Sequence, residues 1–380
     1  MMDLFNRQQE LKQLFRIGED VKLTHSPIEI RFCNFQSVVN NNETATDANS
    51  FEVFDHKIAE NNRFQYPIFR FQSSQKSENA ILMLHGLNER SWDKYLSWAE
   101  FLCMYTRRPV VLFPLAFHMN RSESGWLNLR NIFNYLPVRL KNIRQNQSLS
   151  VANYILSERL SENPIRFYTS GRQSLKDITA LVKSMQSGEH VFFEKNCKTD
   201  IFAYSIGAFL TQIVLMANPE KLFSSTKAFL FCGGSLFKYM NGQSRSIMDK
   251  TCHELIHAFY SGKEWMEQIK EVNKDKITRS FASMIDREIF KNQRYRFFNQ
   301  LTDRMKIISL VKDEVISYEG IKAAVGNVFA TKNVNNMDYA YLYTHENPFP
   351  VNNFQQRECI TNCFNQTFSI IGDFFNSKHK

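Results

Sequence analysis

The sequence predicts an α/β architecture, a mostly parallel central sheet flanked by helices, with helical insertions above it. Three observations predict it. A continuous apolar run of the kind central parallel strands show lies at residues 80–84, and residues 109–114, 228–231 and 305–311 read as further buried strands. Segments with helical apolar spacing alternate with them, such as Trp92, Tyr95, Ala99 and Leu102 after the first run. Between these, residues 201–203 read as a strand that passes through Tyr204-Ser205-Ile206-Gly207 straight into an apolar helix over 208–216. Alternation of this kind is the pattern of a parallel sheet with helices on both faces.

The elements follow in order. Residues 1–79 form a leader to a core over 80–376. Its helix runs from Leu4 to Phe15, and period-two segments at 28–32 and 51–54 suggest the first antiparallel pair of the sheet, separated by a polar loop at 40–50. Residues 67–71 are a further strand, with 72–78 as the turn into the 80–84 strand. After the 109–114 strand, residues 122–165 exceed an ordinary strand–helix link and read as a first helical insertion. Ser170-Gly171-Arg172 then opens a helix over 173–185, with Leu175, Ile178, Val182 and Met185 on one face. Residues 235–304 are a second insertion, residues 337–343 a strand-like run, and 353–375 a last helix covering the sheet through Phe364, Phe368, Ile371 and Phe375.

The chemistry begins at Ser205. Small residues two before and two after it, Ala203 and Gly207, permit the sharp strand-to-helix turn of a nucleophile elbow, which exposes the hydroxyl. A serine hydroxyl is a weak nucleophile until an imidazole takes its proton. Downstream, Asp313 follows the 305–311 strand, and after it only His345 and His379 remain. His379 lies in a Lys-His-Lys tail, which leaves His345 as the base.

With the order Ser, Asp, His, and with His85-Gly86-Leu87-Asn88 at the end of the 80–84 strand, the sequence resembles the α/β-hydrolase superfamily over roughly residues 80–376. Ala203 in place of the first glycine of the elbow departs from the pattern, though alanine is still small. The resemblance implies Ser205 as nucleophile, His345 as base and acid, and Asp313 as the group that orients the imidazole. It also implies an oxyanion hole from the N–H groups of Leu87 and Ile206, worth about 3 kcal/mol per donor. The expected partner is a small-molecule or acyl substrate with an ester, thioester or amide bond, and no cofactor is called for. His85 reads as a strand-end hydrogen bonder.

Two further sites stand out. His118 and Arg121 follow a strand's carboxyl end, the edge where α/β sheets bind ligands, and are expected substrate contacts, Arg121 for a carboxylate or phosphate. His253-Glu254-Leu255-Ile256-His257 matches H-E-x-x-H. On a helix it would set two imidazoles on one face, with Glu254 as general base, and offers a zinc metallopeptidase as the alternative. No third histidine follows within residues 258–262, which leaves Glu264, Glu267, Glu271 and Glu288 as candidate third ligands. Its position inside the second insertion favours a packing role. A hydrolase-fold protein that binds without catalysis is a third reading.

Composition bounds the rest. The net charge of +9 is spread without a basic stripe carrying interleaved aromatics, which argues against nucleic acid. Seven scattered cysteines do not form a disulfide framework and fit a reducing compartment. The start of the chain lacks an apolar signal core, and the longest uncharged run, residues 201–219, is too short and polar to span a membrane. A cytoplasmic protein is expected. The insertions are rich in aromatics (Trp126, Phe133, Tyr135, Phe237, Tyr239, Phe259, Tyr260, Trp265), a hint of an apolar acyl or aromatic substrate.

Overall fold

Strand pairing joins nine strands into one sheet in the computed structural model, which describes residues 2–38, 55–127, 129–142, 147–263, 265, 267 and 275–377. They are β1 (Val21–Lys22), β2 (Ile28–Gln36), β3 (Arg63–Phe71), β4 (Ser77–Leu84), β5 (Val110–Leu112), β6 (Phe193–Tyr204), β7 (Ala228–Phe231), β8 (Met305–Leu310) and β9 (Val334–Met337). The order is β1-β2-β3-β5-β4-β6-β7-β8-β9. β1, β2, β3 and β5 are joined by antiparallel pairings, and every pairing from β5 through β9 is parallel. With helices on both faces, this is the α/β-hydrolase fold.

Side-chain alternation explains why the central strands read as unbroken apolar runs. In β4, Ala80, Leu82 and Leu84 face one core cluster while Ile81 and Met83 face the other. In β6, Ile201 and Ala203 point one way and Phe202 and Tyr204 the other. The first cluster is closed by the helices Arg166–Ser187 and Ile206–Ala217, the second by Leu4–Leu14, Asp93–Thr106 and Arg357–Asn376. Both faces of the stretches 80–84 and 201–204 are therefore buried in apolar surroundings.

Residues 122–165 contribute the helices Leu129–Asn142 and Tyr154–Glu162, and residues 235–304 contribute Lys250–Ser261, Lys276–Ser283 and Lys291–Gln300. Polar bonds tie the two segments together: the buried Arg139, held by Glu158 of its own segment at 2.6 Å, pairs with Asp249 at 2.7 Å, and Asp249 N–H donates to Ser157 Oγ at 2.9 Å. Asn88 Nδ2 donates to Ala152 O at 2.9 Å and to Ser246 O at 2.6 Å, linking both to the end of β4.

Several boundaries differ from the sequence reading. The helix expected over 173–185 begins at Arg166 and runs through Gly171, because Phe167 upstream docks into the core and nothing lies within 4 Å of a Cβ at Gly171. The strand expected over 337–343 is β9 at Val334–Met337 instead. The tyrosines that mimic strand alternation pack as a loop, their hydroxyls bonding Thr367 (Tyr339), Pro348 O (Tyr341) and Asp338 (Tyr343). The segments 40–50 and 51–54 and His379 lie outside the described residues. Among the described residues no helix is long and apolar enough to cross a membrane. The cysteines are unpaired.

Candidate active site

β6 ends in a strained turn. Ser205 takes φ 55° and ψ −120°, a positive-φ conformation that an ordinary residue holds only when its surroundings over-determine it. Those surroundings are the ends of two neighbouring strands. Ser205 N–H donates to Phe231 O of β7 at 3.2 Å, and Gly207 N–H donates to His85 O, just past β4, at 3.1 Å. A Cβ at Gly207 would lie 2.8 Å from His85 O and 2.9 Å from Leu84 C, so only glycine fits this wedge.

The hydroxyl so presented meets an imidazole. Ser205 Oγ lies 2.7 Å from His345 Nε2, and His345 Nδ1 lies 2.7 Å from Asp313 Oδ2. All three side chains are buried. Asp313 sits three residues past β8, and its other oxygen accepts the N–H groups of Val315 (2.9 Å) and Ile316 (2.8 Å), which fixes the carboxylate plane. An ionised carboxylate only accepts, so Nδ1 carries the imidazole hydrogen and Nε2 faces Ser205 as an acceptor. The His345 ring stacks on Tyr204, centroids 5.6 Å apart, and its carbonyl accepts the Tyr204 hydroxyl.

Two backbone N–H groups of this region, those of Ile206 and Leu87, have no backbone partner among the described residues. Ile206 opens the helix Ile206–Ala217, so its N–H is one of the orphan donors every helix start leaves. Among the described residues the Leu87 N–H donates to no backbone carbonyl. The turn that carries Leu87 is pinned from behind: His85 Nδ1–H donates to Gly86 O at 2.8 Å, and its Nε2 accepts Leu115 N–H at 2.9 Å. Burial pushes this imidazole well below its ordinary range, which keeps it neutral in that role. Gly86 N–H donates to Tyr95 Oη at 3.0 Å.

Two cavities lie along the Leu87 turn, one of them reaching Ile206 next to Ser205, and they share Leu87, Ala116, His118, Phe167 and Ser170 in their walls. One, of about 50 Å³, is apolar, with Ile206, Phe209, Leu210 and Phe281 in its wall. The other, of about 60 Å³, mixes Phe117, Trp126 and Leu156 with Arg90 and Arg159. Arg159 is not a free charge, since it pairs with Asp55 at 3.1 Å and lies over the Trp126 ring.

Residues 2–376 match the family described as "Family of unknown function (DUF6051)". The chain belongs to DUF6051. No curated protein matches it. Among solved structures, this DUF6051 chain is similar to a thermostable esterase from Pseudomonas putida ECU1011, with 9% identity, 97% of this chain and 88% of that one covered, and a TM-score of 0.49. It is also similar to carboxyl esterase 2 of the mycorrhizal fungus Tuber melanosporum (8% identity, 95% and 89% covered, TM-score 0.48). A third is esterase Est22 with p-nitrophenol (12% identity, 93% and 82% covered, TM-score 0.48). These likenesses carry no chemistry across, and the functional reading stands on the DUF6051 chain's own residues.

The remaining sequence candidates separate. Arg121 is fully buried away from both cavities, and the expectation that it contacts substrate is overturned. Its guanidinium pairs with Asp177 at 2.7 Å, donates to Asn61 and Pro114, and lies over the Phe64 ring. His118 does line both cavities. On the helix Lys250–Ser261, the His253 and His257 rings are 4.2 Å apart, with His257 stacked on Phe237 and His253 Nε2 donating to Met240 O at 3.3 Å. Glu254 is exposed and lies 3.8 Å from Lys250. Among the described residues no three His, Cys, Asp or Glu groups gather to hold a metal; Glu267 and Glu288 are exposed, while Glu264 and Glu271 lie outside the described residues. Two imidazoles, one already bonded, fall short of a zinc donor set. Sequence reasoning missed Tyr204 and Tyr95. Their only signal was a tyrosine at the last position of β6 and another on the buried face of the helix Asp93–Thr106.

Proposed function

We propose that this DUF6051 chain is a serine hydrolase, a member of the α/β-hydrolase superfamily that cleaves an ester, thioester or amide through an acyl-enzyme. The observation that carries this reading is the buried relay Ser205–His345–Asp313 with both links at 2.7 Å. Ser205 Oγ bonds to the acyl carbon while its proton passes to His345 Nε2, and Asp313 stabilises the imidazolium through Nδ1–H. The oxyanion that forms accepts from Leu87 and Ile206 N–H, each worth about 3 kcal/mol in the transition state. His345 then returns the proton to the leaving group as the bond to the acyl carbon breaks. Water repeats the sequence in reverse, giving its proton to Nε2 and releasing the acid and the free Ser205 hydroxyl.

The apolar cavity beside Ile206 suits an apolar acyl portion, and the segments 122–165 and 235–304 act as the cap that excludes water from it. The core over 80–376 carries every group in these steps, with 1–79 as its leader. None of the steps calls for a cofactor.

The test is hydrolysis of p-nitrophenyl butyrate by the full chain. Turnover that falls roughly 10⁶-fold in Ser205→Ala supports the reading. Turnover that survives that change but is lost with a chelator would replace it with a metal-dependent one.

A further inference from the structure

Of the five residues that line both cavities, Leu87, Ala116, His118, Phe167 and Ser170, His118 is the one that carries an imidazole. Its Nδ1 lies 2.8 Å from Ala116 O, and a carbonyl only accepts, so Nδ1 carries a hydrogen. Burial pushes the imidazole down to about 4, so the ring is neutral near pH 7 and its Nε2 holds a bare lone pair. That Nε2 is shut off from solvent and has no hydrogen-bond partner among the described residues. The hydroxyls of Ser122, Ser170 and Ser174 already donate to Phe117 O, Phe167 O and Ser170 O. His85, whose ring centroid lies 5.3 Å away, has both nitrogens engaged.

A buried acceptor without a donor is uncommon in folded proteins, and at a ligand cavity it marks a place where the ligand supplies the missing half. The geometry points to His118 as a specificity-determining residue that accepts a hydrogen bond from a hydroxyl or amide N–H on the substrate, beside the Leu87 turn. This rests on the hydrolase reading of the same site and narrows it to esters that carry a donor near the scissile bond. A site of this kind rejects the analogue lacking the donor, because the lone pair is then desolvated with nothing in return. An acceptor-only or anionic group at the same point faces that lone pair and is disfavoured.

The test separates binding from turnover. Full-length Ser205→Ala protein labelled with ¹⁵N-histidine is titrated with methyl 3-hydroxybutyrate, 2-hydroxyethyl butyrate and N-butyrylglycine methyl ester, each against an isostere lacking the donor. The expected result is that at least one donor-bearing probe binds about tenfold more tightly than its isostere and moves the His118 Nε2 resonance, and that His118→Phe levels the pair. Equal binding within every pair, a preference that survives His118→Phe, or no binding of any probe overturns the assignment. Turnover of p-nitrophenyl butyrate by the unaltered chain reports separately on the hydrolase reading. If turnover is absent while the His118-dependent preference is present, that reading fails and His118 stands as a ligand-binding residue.

Discussion

Replacing Asp313 by asparagine removes one function of the carboxylate and keeps the other. Oδ1 accepts Val315 and Ile316 N–H, and Oδ2 accepts His345 Nδ1–H. The asparagine amide has one oxygen and one NH₂, so it must choose. Turning NH₂ toward the two N–H groups loses two buried bonds at about 1–3 kcal/mol each, so the opposite orientation wins by roughly 2–6 kcal/mol, or about 30-fold and upward. NH₂ then points at His345 Nδ1, which must accept, and the imidazole hydrogen moves to Nε2. In that tautomer Nε2 cannot take the Ser205 proton. Asp313→Asn should therefore cost on the order of 10⁴ in kcat with p-nitrophenyl butyrate. Its urea midpoint should stay near that of the parent, because the two backbone bonds remain. Asp313→Ala should lose activity and stability together, since it orphans all three donors. A well-folded Asp313→Asn protein with activity within tenfold of the parent would refute the role given to Asp313.

Other outcomes follow from neighbouring features. Gly207→Ala pushes a methyl against His85 O and Leu84 C, and should cost about 1–3 kcal/mol in urea unfolding and roughly 10²–10³ in kcat by displacing the Leu87 turn. Arg121→Met leaves Asp177 buried without its cation. It should destabilise by about 3–5 kcal/mol while the folded fraction keeps its activity, whereas a selective loss toward anionic esters would restore Arg121 as a substrate contact. Burial pushes His118 and His190 down to about 4, below the ordinary value near 6.5 that they regain on unfolding. Between those values the unfolded chain binds more protons, so stability is full above about pH 6.5 and falls with acid, by up to about 1.4 kcal/mol per pH unit for each histidine. Urea midpoints at pH 6.5 and 5 read this directly, and a midpoint that rises on acidification contradicts it.

What the sequence made legible is what local pattern determines. The elbow is contiguous, so Ala203, Ser205 and Gly207 could be read together, and the apolar runs of β4, β7 and β8 followed from burial on both faces. Asp313 was reachable because it follows the end of β8, and His345 because chain order left it as the remaining histidine ahead of the tail, although the strand expected just before it is a loop. The failures have a common cause in partners far away in sequence. Arg121 sits at the expected edge, yet its fate is set by Asp177 in a helix 56 residues on. The tyrosines at 339, 341 and 343 alternate like a strand, but their hydroxyls find loop and helix partners, and β9 pairs with β8 through Val334–Met337 instead. Gly171 looked like a helix opener because glycine breaks helices on average. Packing of Phe167 against Phe237 and Tyr260 of residues 235–304 outweighs that local preference.

The most direct measurement is active-site labelling of the full-length protein with a fluorophosphonate, mapped by peptide mass spectrometry, with Ser205→Ala in parallel. An activated Ser205 predicts one adduct on the peptide carrying it, unchanged by a chelator and absent from the variant. Folded protein that takes up no label at Ser205, or labels equally in the variant, would contradict the claim that this serine is the nucleophile.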